Sequence, residues 1–184
     1  MKTLTIIPSR MSATRLPGKP LLKINGLSII SHVLRRAQEA NIGEVIVATE
    51  DQEIFDDVVN NGGRAVLTHK NHKTGTDRIF EALQKIEVND VDLIMNLQGD
   101  EPDININDIV MLNKKMTNYQ FEMGTLAGKI KDLKDLKNEN IVKVITKENL
   151  NENQFVEAKT FLRISSNINN IYHHIGIYCY SKET

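Results

Sequence analysis

Three positively charged side chains are spaced through the loop that follows the first apolar run, residues 4–7. Arg10, Arg15 and Lys19 lie in this loop together with Gly18 and two prolines, which restrict the backbone. Triphosphates are bound by backbone N–H groups that approach them closely and by fixed cationic donors that neutralise several oxygens. The loop is therefore a candidate triphosphate site, and a solvated basic loop is the alternative. It matches neither the G-x-G-x-x-G dinucleotide-binding pattern nor the P-loop pattern.

A second candidate segment begins a predicted helix after the third apolar run, residues 65–67. Thr74 and Gly75 would leave backbone N–H groups free at the helix start, and Arg78 follows one turn later. Free N–H groups at a helix N-terminus bind anions, so this segment could contact a phosphate or a base. The alternative is an ordinary helix start that Thr76 caps, with Arg78 exposed.

An acidic residue follows the fourth apolar run, residues 93–97, almost directly. Asp100 stands beside Gly99, where a short carboxylate can hold Mg²⁺ against phosphates. Glu101 precedes Pro102, and a structural role is the alternative for this side chain. The carboxyl ends of parallel strands meet at one edge of a sheet. We therefore expect the cationic loop, the glycine helix start and the acid to converge there.

The elements that must position these residues alternate along the first hundred residues. Apolar runs alternate with stretches whose apolar residues recur at helical spacing, and the connections are short. This rhythm predicts a parallel sheet covered on both faces by helices. The predicted strands are residues 4–7, ending at Pro8, then 44–48, 65–67 and 93–97; the predicted helices follow Ser28, Asp51 and Thr76, each as the capping residue.

The later chain has a different pattern. Residues 121–130, 140–146, 155–163 and 172–180 are extended and more alternating, which predicts added antiparallel or mixed strands. On the last of these strands only one of His173 and His174 can face a site, because successive side chains point to opposite faces. Cys179 lies in an apolar strand, where a buried and inert thiol is the default.

Composition excludes several classes of protein. The chain has 184 residues, a formal net charge of −1 and one cysteine. Nucleic-acid and lipid-surface binding both need a basic face, which this charge balance does not favour. One cysteine cannot form an internal disulfide, and no apolar stretch approaches the ~20 residues of a membrane span. We therefore expect a soluble, cytoplasmic protein without nucleic-acid partners or membrane insertion.

Five segments in this order and spacing resemble those of the 3-deoxy-manno-octulosonate cytidylyltransferase (CMP-Kdo synthetase) family, and the match extends through about residue 146. The Gln-Gly-Asp-Glu-Pro segment is more similar to this family than to the sialic acid cytidylyltransferases. The segments are Ile6-Ile7-Pro8-Ser9-Arg10, Thr14-Arg15-Leu16-Pro17-Gly18-Lys19-Pro20-Leu21, Val47-Ala48-Thr49, Gly75-Thr76-Asp77-Arg78 and Asn96-Leu97-Gln98-Gly99-Asp100-Glu101-Pro102.

The resemblance implies a three-layer α/β/α nucleotidyltransferase fold, Rossmann-like, with a mostly parallel sheet and a small mixed or antiparallel strand appendage. It implies a single domain, 1–184, with a nucleotide-binding half, 1–120, and a sugar-binding part with extra strands, 121–184. It further implies transfer of CMP from CTP to Kdo with release of pyrophosphate, for lipopolysaccharide biosynthesis. The alternatives are a cytidylyltransferase for another 2-keto sugar acid, such as 8-amino-Kdo or a nonulosonic acid, or a nucleotide-binding remnant with little turnover.

Site residues are implied by motif position. The implied catalytic set holds the triphosphate with three cations and Mg²⁺ with one acid, and further residues place the nucleotide or the sugar acid. Ser9 stands where the family usually has alanine. The catalytic set is Arg10, Arg15, Lys19 and Asp100, with Asp100 as the metal ligand; Ser9, Thr74, Gly75, Arg78 and Gln98 place the nucleotide; Arg163, His174 and Tyr178 contact the sugar acid.

The length departs from the family pattern. The chain stops four residues after the predicted strand 172–180. In the family, helices that build a homodimer contact follow, and then a segment with a second metal-binding carboxylate. We therefore expect either a truncated member that lacks the usual dimer segment or a member that assembles its site differently. Its single carboxylate would hold Mg²⁺ weakly until CTP phosphates complete the shell.

Overall fold

The computed structural model describes residues 1–12, 16–70, 72–86, 90–151, 154–166 and 168–183. The chain forms two compact units, Met1–Gly124 with Ile177–Thr184, and Thr125–Gly176. The strands and helices in chain order are β1 (Thr3–Ser9), β2 (Lys23–Ile24), β3 (Leu27–Ser28), α1 (Ile29–Glu39), β4 (Gly43–Thr49), α2 (Gln52–Asn60), β5 (Arg64–Leu67), α3 (Gly75–Lys85), β6 (Leu93–Asn96), α4 (Ile106–Tyr119), β7 (Met123–Gly128), β8 (Lys143–Thr146), β9 (Ala158–Leu162) and β10 (Ile171–Ser181), with short 3-10 helices at Lys19–Leu21 and Leu133–Lys137.

The sheet of the first unit is mostly parallel, as predicted. Its strands lie in the order β5-β4-β1-β6, and each neighbouring pair is parallel. The end of β10 then pairs antiparallel with β6, with Tyr178 opposite Asn96. β1 is therefore central, and the segments after β1, β5 and β6 all leave the sheet at the same edge.

Helices cover both faces of this sheet. Leu4 and Ile6 of β1 pack with Ile79 and Ala82 of α3 in one buried cluster. On the opposite face Thr3 of β1 donates a hydrogen bond to Asn113 of α4, and α1 and α2 also pack on the unit. The predicted three-layer α/β/α arrangement is confirmed.

The prediction that the first strand ends at Pro8 is wrong, because β1 continues to Ser9. The carbonyl of Ile6 accepts a hydrogen bond from Leu97 N–H, so Ile6 and Pro8, two residues apart, both face β6. β6 ends at Asn96, opposite Ile6. Pro8 therefore lies just past the last residue pair of β1 and β6, where a missing N–H ends the ladder without interrupting it, and the strand tolerates the proline.

Two predicted helix caps differ in the structure. α3 begins two residues earlier than the Thr76 cap implied, because Thr74 and Asp77 form a reciprocal capping box. Asp51 does precede α2, but its side chain makes no cap hydrogen bond. That carboxylate instead binds the cationic loop, as described below.

One helix was not predicted from the sequence. α4 begins after Asn105, whose side chain accepts a hydrogen bond from Asn107 N–H. Its buried residues Ile109, Leu112 and Met116 recur at helical spacing, but polar residues separate them.

The second unit is antiparallel, as the alternating pattern predicted. β8 pairs with β9 and with the first residues of β10, with Val144 opposite Phe161 on one side and Tyr172 on the other. β10 belongs to both units, because the division falls between Gly176 and Ile177. Within the described chain, every helix is too short or too polar to cross a bilayer.

Candidate active site

A cavity of about 550 Å³ opens in the first unit, where the loops after β1, β5 and β6 meet. All the described residues predicted to bind nucleotide line it, and so does Asp100, the predicted metal ligand; the nucleotide set is Ser9, Arg10, Lys19, Thr74, Gly75, Arg78 and Gln98. Arg15 belongs to the same predicted set but lies outside the described residues. The other lining residues are Pro8, Leu16, Pro20, His72 and Gly99.

Hydrogen bonds hold the cationic loop in place at both of its ends. Gly18 N–H donates to the carbonyl of Met11 at 3.0 Å, which closes the loop on itself. Gly18 adopts φ of 73°, a left-handed conformation that favours glycine, and the 3-10 helix carrying Lys19 follows it. Asp51, which follows the neighbouring strand β4 and precedes α2, accepts a hydrogen bond of 2.7 Å from Met11 N–H. The loop therefore has a fixed path on either side of the residues it presents to the cavity.

A cation and an acid meet in the wall of the cavity. Lys19 Nζ lies 2.8 Å from Asp100 Oδ2, and both side chains are partly exposed. Glu101, next in the chain, is more enclosed, and its burial, together with the nearby charge of Asp100, raises the pKa of its carboxyl group. Asp100 is thus the acid of this segment that faces a cation at the cavity.

The segment that carries Asp100 packs tightly on β1. A Cβ atom added to Gly99 would lie 2.9 Å from the carbonyl oxygen of Pro8 and 3.2 Å from Cδ1 of Ile30. Only glycine leaves the two strand ends this close without a shift. The absence of a side chain here keeps the cationic loop and the acidic segment side by side.

Ser9 presents an unsatisfied group beside the cavity. The residue is buried and lines the cavity, and its hydroxyl has no hydrogen-bond partner among the described residues. A buried hydroxyl without a partner is costly, and most such groups in folded proteins are satisfied. A polar ligand in the cavity could satisfy it.

The positive charge of Arg78 is already neutralised. Its guanidinium group donates to Glu50 Oε2 and to Thr68 Oγ1, both at 2.5 Å, and its side chain is 3% exposed. Sequence alone suggested that Arg78 reaches a phosphate or base directly. The structure places it in the cavity wall, where it joins the residues after β4 and β5 to α3.

One of the N–H groups at the start of α3 already has a hydrogen-bond partner within the protein. The Thr74 N–H, expected to be free, donates to the Asp77 carboxylate at 3.0 Å, and the Thr74 hydroxyl accepts from Asp77 N–H. Gly75 packs on Pro8, because an added Cβ would lie 3.3 Å from Pro8 Cγ. The helix start therefore approaches the end of β1 closely and brings its first residues to the cavity.

A histidine that the sequence did not single out also lines the cavity. His72 Nε2 hydrogen-bonds to the carboxylate of Glu81, which also accepts from His69 N–H and from Lys85. Burial alone would raise the pKa of Glu81, but the hydrogen bonds from Lys85, His69 and His72 hold it at about 2. Glu81 is therefore ionised at neutral pH and accepts the Nε2 hydrogen of His72.

The cavity suits a magnesium ion that arrives with phosphates. Mg²⁺ is commonly held by one or two carboxylates together with substrate phosphate oxygens. Asp100 supplies one carboxylate at the wall, and among the described residues no three His, Cys, Asp or Glu side chains are grouped so as to hold a metal alone. The protein atoms thus fit Mg²⁺ only as a partial shell that a ligand completes.

The residues expected to contact a sugar acid lie partly in the second unit. There, Arg163 Nη1 donates to the carbonyl of Glu139 at 2.8 Å. His174 is buried, lies 3.0 Å from the Thr125 hydroxyl through Nε2, and meets Phe161 edge-on. Burial, and secondarily the charge of His173, lowers the pKa of His174.

Tyr178, the third of these residues, belongs to the first unit. It is half-buried on β10 and stacks on Tyr180, with ring centroids 6.1 Å apart. Burial raises the pKa of its hydroxyl. The neighbouring Cys179 is fully buried, and burial raises the pKa of its thiol to about 12, which agrees with the expected inert cysteine.

Comparison with known proteins points to one family. A family model described as cytidylyltransferase matches residues 4–184 of the chain. The 3-deoxy-manno-octulosonate cytidylyltransferase of Rhodopseudomonas palustris (strain BisB18) is 45% identical over 184 residues, which are 98% of this chain and 74% of that protein. The protein of the same name from Fusobacterium nucleatum subsp. nucleatum is 41% identical, over 100% of this chain and 74% of its own length.

Solved structures agree with this similarity. A CMP:2-keto-3-deoxy-manno-octonic acid synthetase in complex with CTP superposes with a TM-score of 0.86 at 34% identity, covering 100% of this chain and 75% of that one. The 4-diphosphocytidyl-2C-methyl-D-erythritol synthase of Anaerococcus prevotii superposes with a TM-score of 0.64 at 14% identity over 99% of this chain and 72% of that one. The second likeness shows the fold alone.

Proposed function

Because the chain belongs to the cytidylyltransferase family, we propose that it transfers CMP from CTP to the anomeric hydroxyl of a 2-keto sugar acid, Kdo, and releases pyrophosphate. The product would serve lipopolysaccharide biosynthesis. One observation carries the proposal beyond the family name: the cations of the loop after β1 and the acid after β6 line one cavity, with Lys19 and Asp100 in contact.

The charge of CTP explains why the cavity has this composition. In the reaction the sugar hydroxyl loses its proton to solvent and its oxygen forms a bond to the α-phosphorus. The bond from that phosphorus to the bridging oxygen breaks, and the negative charge leaves on pyrophosphate. Fixed cations that face this charge stabilise the transition state, because they need no reorganisation as the charge develops. Arg10 and Lys19 are placed to do this, since both line the cavity.

Asp100 would hold Mg²⁺ at this site. When bound, a magnesium ion supplies a Lewis acid that neutralises phosphate oxygens. Asp100 provides one oxygen ligand, and Gly99 keeps that carboxylate against the end of β1. The contact with Lys19 is consistent with a site that is electrostatically balanced before phosphates arrive.

We propose that polar groups lining the cavity place the nucleoside. The Ser9 hydroxyl, which lacks a partner among the described residues, would bond to the nucleotide, and Gln98 adds a side-chain amide. Thr74 and Gly75 bring the start of α3 to the same cavity, and Arg78 acts by holding the wall through Glu50. We propose that Arg163, His174 and Tyr178 contact the sugar acid.

A panel of sugar acids tests this proposal against its alternatives. Pyrophosphate release is measured with CTP, Mg²⁺ and, in turn, Kdo, 8-amino-Kdo and a nonulosonic acid. The highest kcat/KM with Kdo supports the proposal, and the highest value with another acid identifies a relative with a different substrate. CTP binding without turnover of any acid would show a nucleotide-binding remnant instead.

A further inference from the structure

The second unit contains a lysine that no part of the proposed reaction uses. Lys143, the first residue of β8, is fully buried. Its ammonium group donates to three backbone carbonyls, those of Asn138 at 2.7 Å, Ile141 at 2.9 Å and Arg163 at 2.5 Å. Among the described residues it forms no salt bridge with an acid.

This arrangement satisfies the lysine with backbone atoms alone. An ammonium group has three donors, and here each donor has its own carbonyl. A buried charge is costly unless it is well hydrogen-bonded, and an apolar side chain of similar volume often replaces one without loss of stability. An apolar side chain could not hold these carbonyls. The specific effect of the charge is therefore to bring together three carbonyls from two separate segments.

The two segments meet at Arg163. Lys143 holds the carbonyl of Arg163, and the Arg163 side chain donates to the carbonyl of Glu139 at 2.8 Å. Glu139 lies between Asn138 and Ile141, the other two residues whose carbonyls Lys143 binds. The lysine therefore fixes both the backbone of Arg163 and the turn on which its guanidinium group rests.

We propose that Lys143 is a positioning residue that sets the Arg163 guanidinium group for the carboxylate of the sugar acid. A guanidinium group binds a carboxylate in a bidentate geometry, and small displacements of such a positioning group are costly. This inference rests on the proposed function, because that function gives Arg163 its carboxylate partner. It assigns a role to Lys143, a residue that touches no substrate. That role affects the affinity for the sugar acid and not the affinity for CTP.

Steady-state kinetics of the full chain test the inference. Lys143→Met should raise KM for Kdo at least about tenfold and leave KM for CTP within about twofold, since the cations that face CTP lie in the other unit. Lys147→Met is the matched control, because Lys147 is an exposed lysine just beyond the other end of β8, where it pairs with Glu157. Combining Lys143→Met with Arg163→Met should raise KM for Kdo no further than Arg163→Met alone.

A readout that needs no turnover keeps this test separate from the test of the proposed function. The Arg163 Nε–H signal, assigned by its loss in Arg163→Met, should be resolved in nitrogen-15 NMR spectra of the wild type and Lys147→Met. In Lys143→Met it should shift or broaden. If Lys143→Met does not fold, Lys143→Gln, whose amide can donate to two of the three carbonyls, is measured in its place and should show a smaller change of the same kind.

The outcomes separate the two claims. A wild type without turnover of any sugar acid would contradict the proposed function, and the Arg163 signal would still report on the positioning role. An Arg163 signal unchanged in Lys143→Met would overturn the inference. So would equal increases of KM for both substrates, or effects of Lys143→Met and Arg163→Met that multiply.

Discussion

Lys19 and Asp100 form an ion pair, with 2.8 Å between Nζ and Oδ2, although the two residues are 81 positions apart in the chain. Each follows a strand of the same parallel sheet, and those strands, β1 and β6, are neighbours. The contact therefore shows directly that the cationic loop and the acidic segment meet at one sheet edge.

The first prediction concerns Asp100. Asp100→Asn should lower kcat/KM for pyrophosphate release by about 100-fold or more, because it removes one preorganised charge while it keeps the shape of the side chain. The control is Asp103→Asn, since Asp103 is a fully exposed acid close by in the chain, in a long contact with Arg36. Near-normal turnover of Asp100→Asn, or an equal loss in both variants, would remove Asp100 from the site.

The second prediction concerns the hydroxyl of Ser9. Ser9→Ala should weaken CTP binding about 2- to 12-fold, which corresponds to the roughly 0.5–1.5 kcal/mol of one hydrogen bond. It should not destabilise the protein, because the hydroxyl has no partner among the described residues. Isothermal titration calorimetry and thermal unfolding measure the two effects.

Thr5→Val is the control for Ser9→Ala. Thr5 lies on the same strand and is buried, and its hydroxyl also lacks a partner within the described structure, but it does not line the cavity. This variant should leave CTP affinity unchanged. Unchanged affinity in Ser9→Ala as well would mean that the Ser9 hydroxyl does not contact the nucleotide.

The third prediction concerns the close approach at Gly99. Gly99→Ala should cost about 1–3 kcal/mol of unfolding free energy, because the new methyl group would overlap the carbonyl of Pro8 and force the two strand ends apart. It should also reduce turnover, since Asp100 is the next residue. In the control, Gly128→Ala, the nearest atom to the added Cβ is 3.9 Å away, so neither property should change. A fully stable and active Gly99→Ala variant would contradict this packing argument.

The fourth prediction concerns Glu81 and pH. The pKa of Glu81 is about 2 in the folded protein against an ordinary value of 4.5. A lowered pKa stabilises the fold above the unfolded value, and the stabilisation disappears as the pH falls through the folded value. Glu81→Gln should therefore cost about 1–3 kcal/mol at neutral pH, and the difference from the wild type should shrink between about pH 4.5 and pH 2.

Denaturant unfolding at several pH values measures this difference. Glu53→Gln is a suitable control, because Glu53 is an exposed acid in the first turn of α2. It should show little dependence on pH. A Glu81→Gln penalty that stays constant from pH 6 to pH 2 would show that the carboxylate is not held in its ionised form by His72, His69 and Lys85.

Much of the fold could be predicted because its signals are local. Continuous apolar runs and helical spacing identified the parallel strands of the first unit, and alternation identified the later antiparallel ones. The unpredicted α4 has its apolar residues Ile109, Leu112 and Met116 diluted by polar residues, so its periodicity is weak. β1 passes through Pro8 because its pairing with β4 continues to Ser9 while its pairing with β6 ends at Ile6, and that depends on partner strands the sequence does not show.

The cavity residues could be predicted for a related reason. Ligands bind in the segments that follow parallel strands. This rule identified the nucleotide-binding residues that line the cavity in the described part of the chain. At the end of β4, Glu50 holds Arg78 and Asp51 holds the cationic loop, and no sequence pattern indicated either pairing. These two pairings join residues 28 and 40 positions apart, and that of His72 with Glu81 joins a loop to a helix, so only the tertiary structure reveals them.

The most direct measurement of the central claim is the stoichiometry of one reaction. Phosphorus-31 NMR follows the protein with CTP, Kdo and Mg²⁺, and separately after removal of Mg²⁺ by a chelator. We predict that one CMP-sugar phosphodiester and one pyrophosphate appear for each CTP consumed, only when Kdo is present, with a large loss of rate without the metal. Pyrophosphate formed without Kdo, or CTP left intact although it binds, would contradict the proposed cytidylyl transfer.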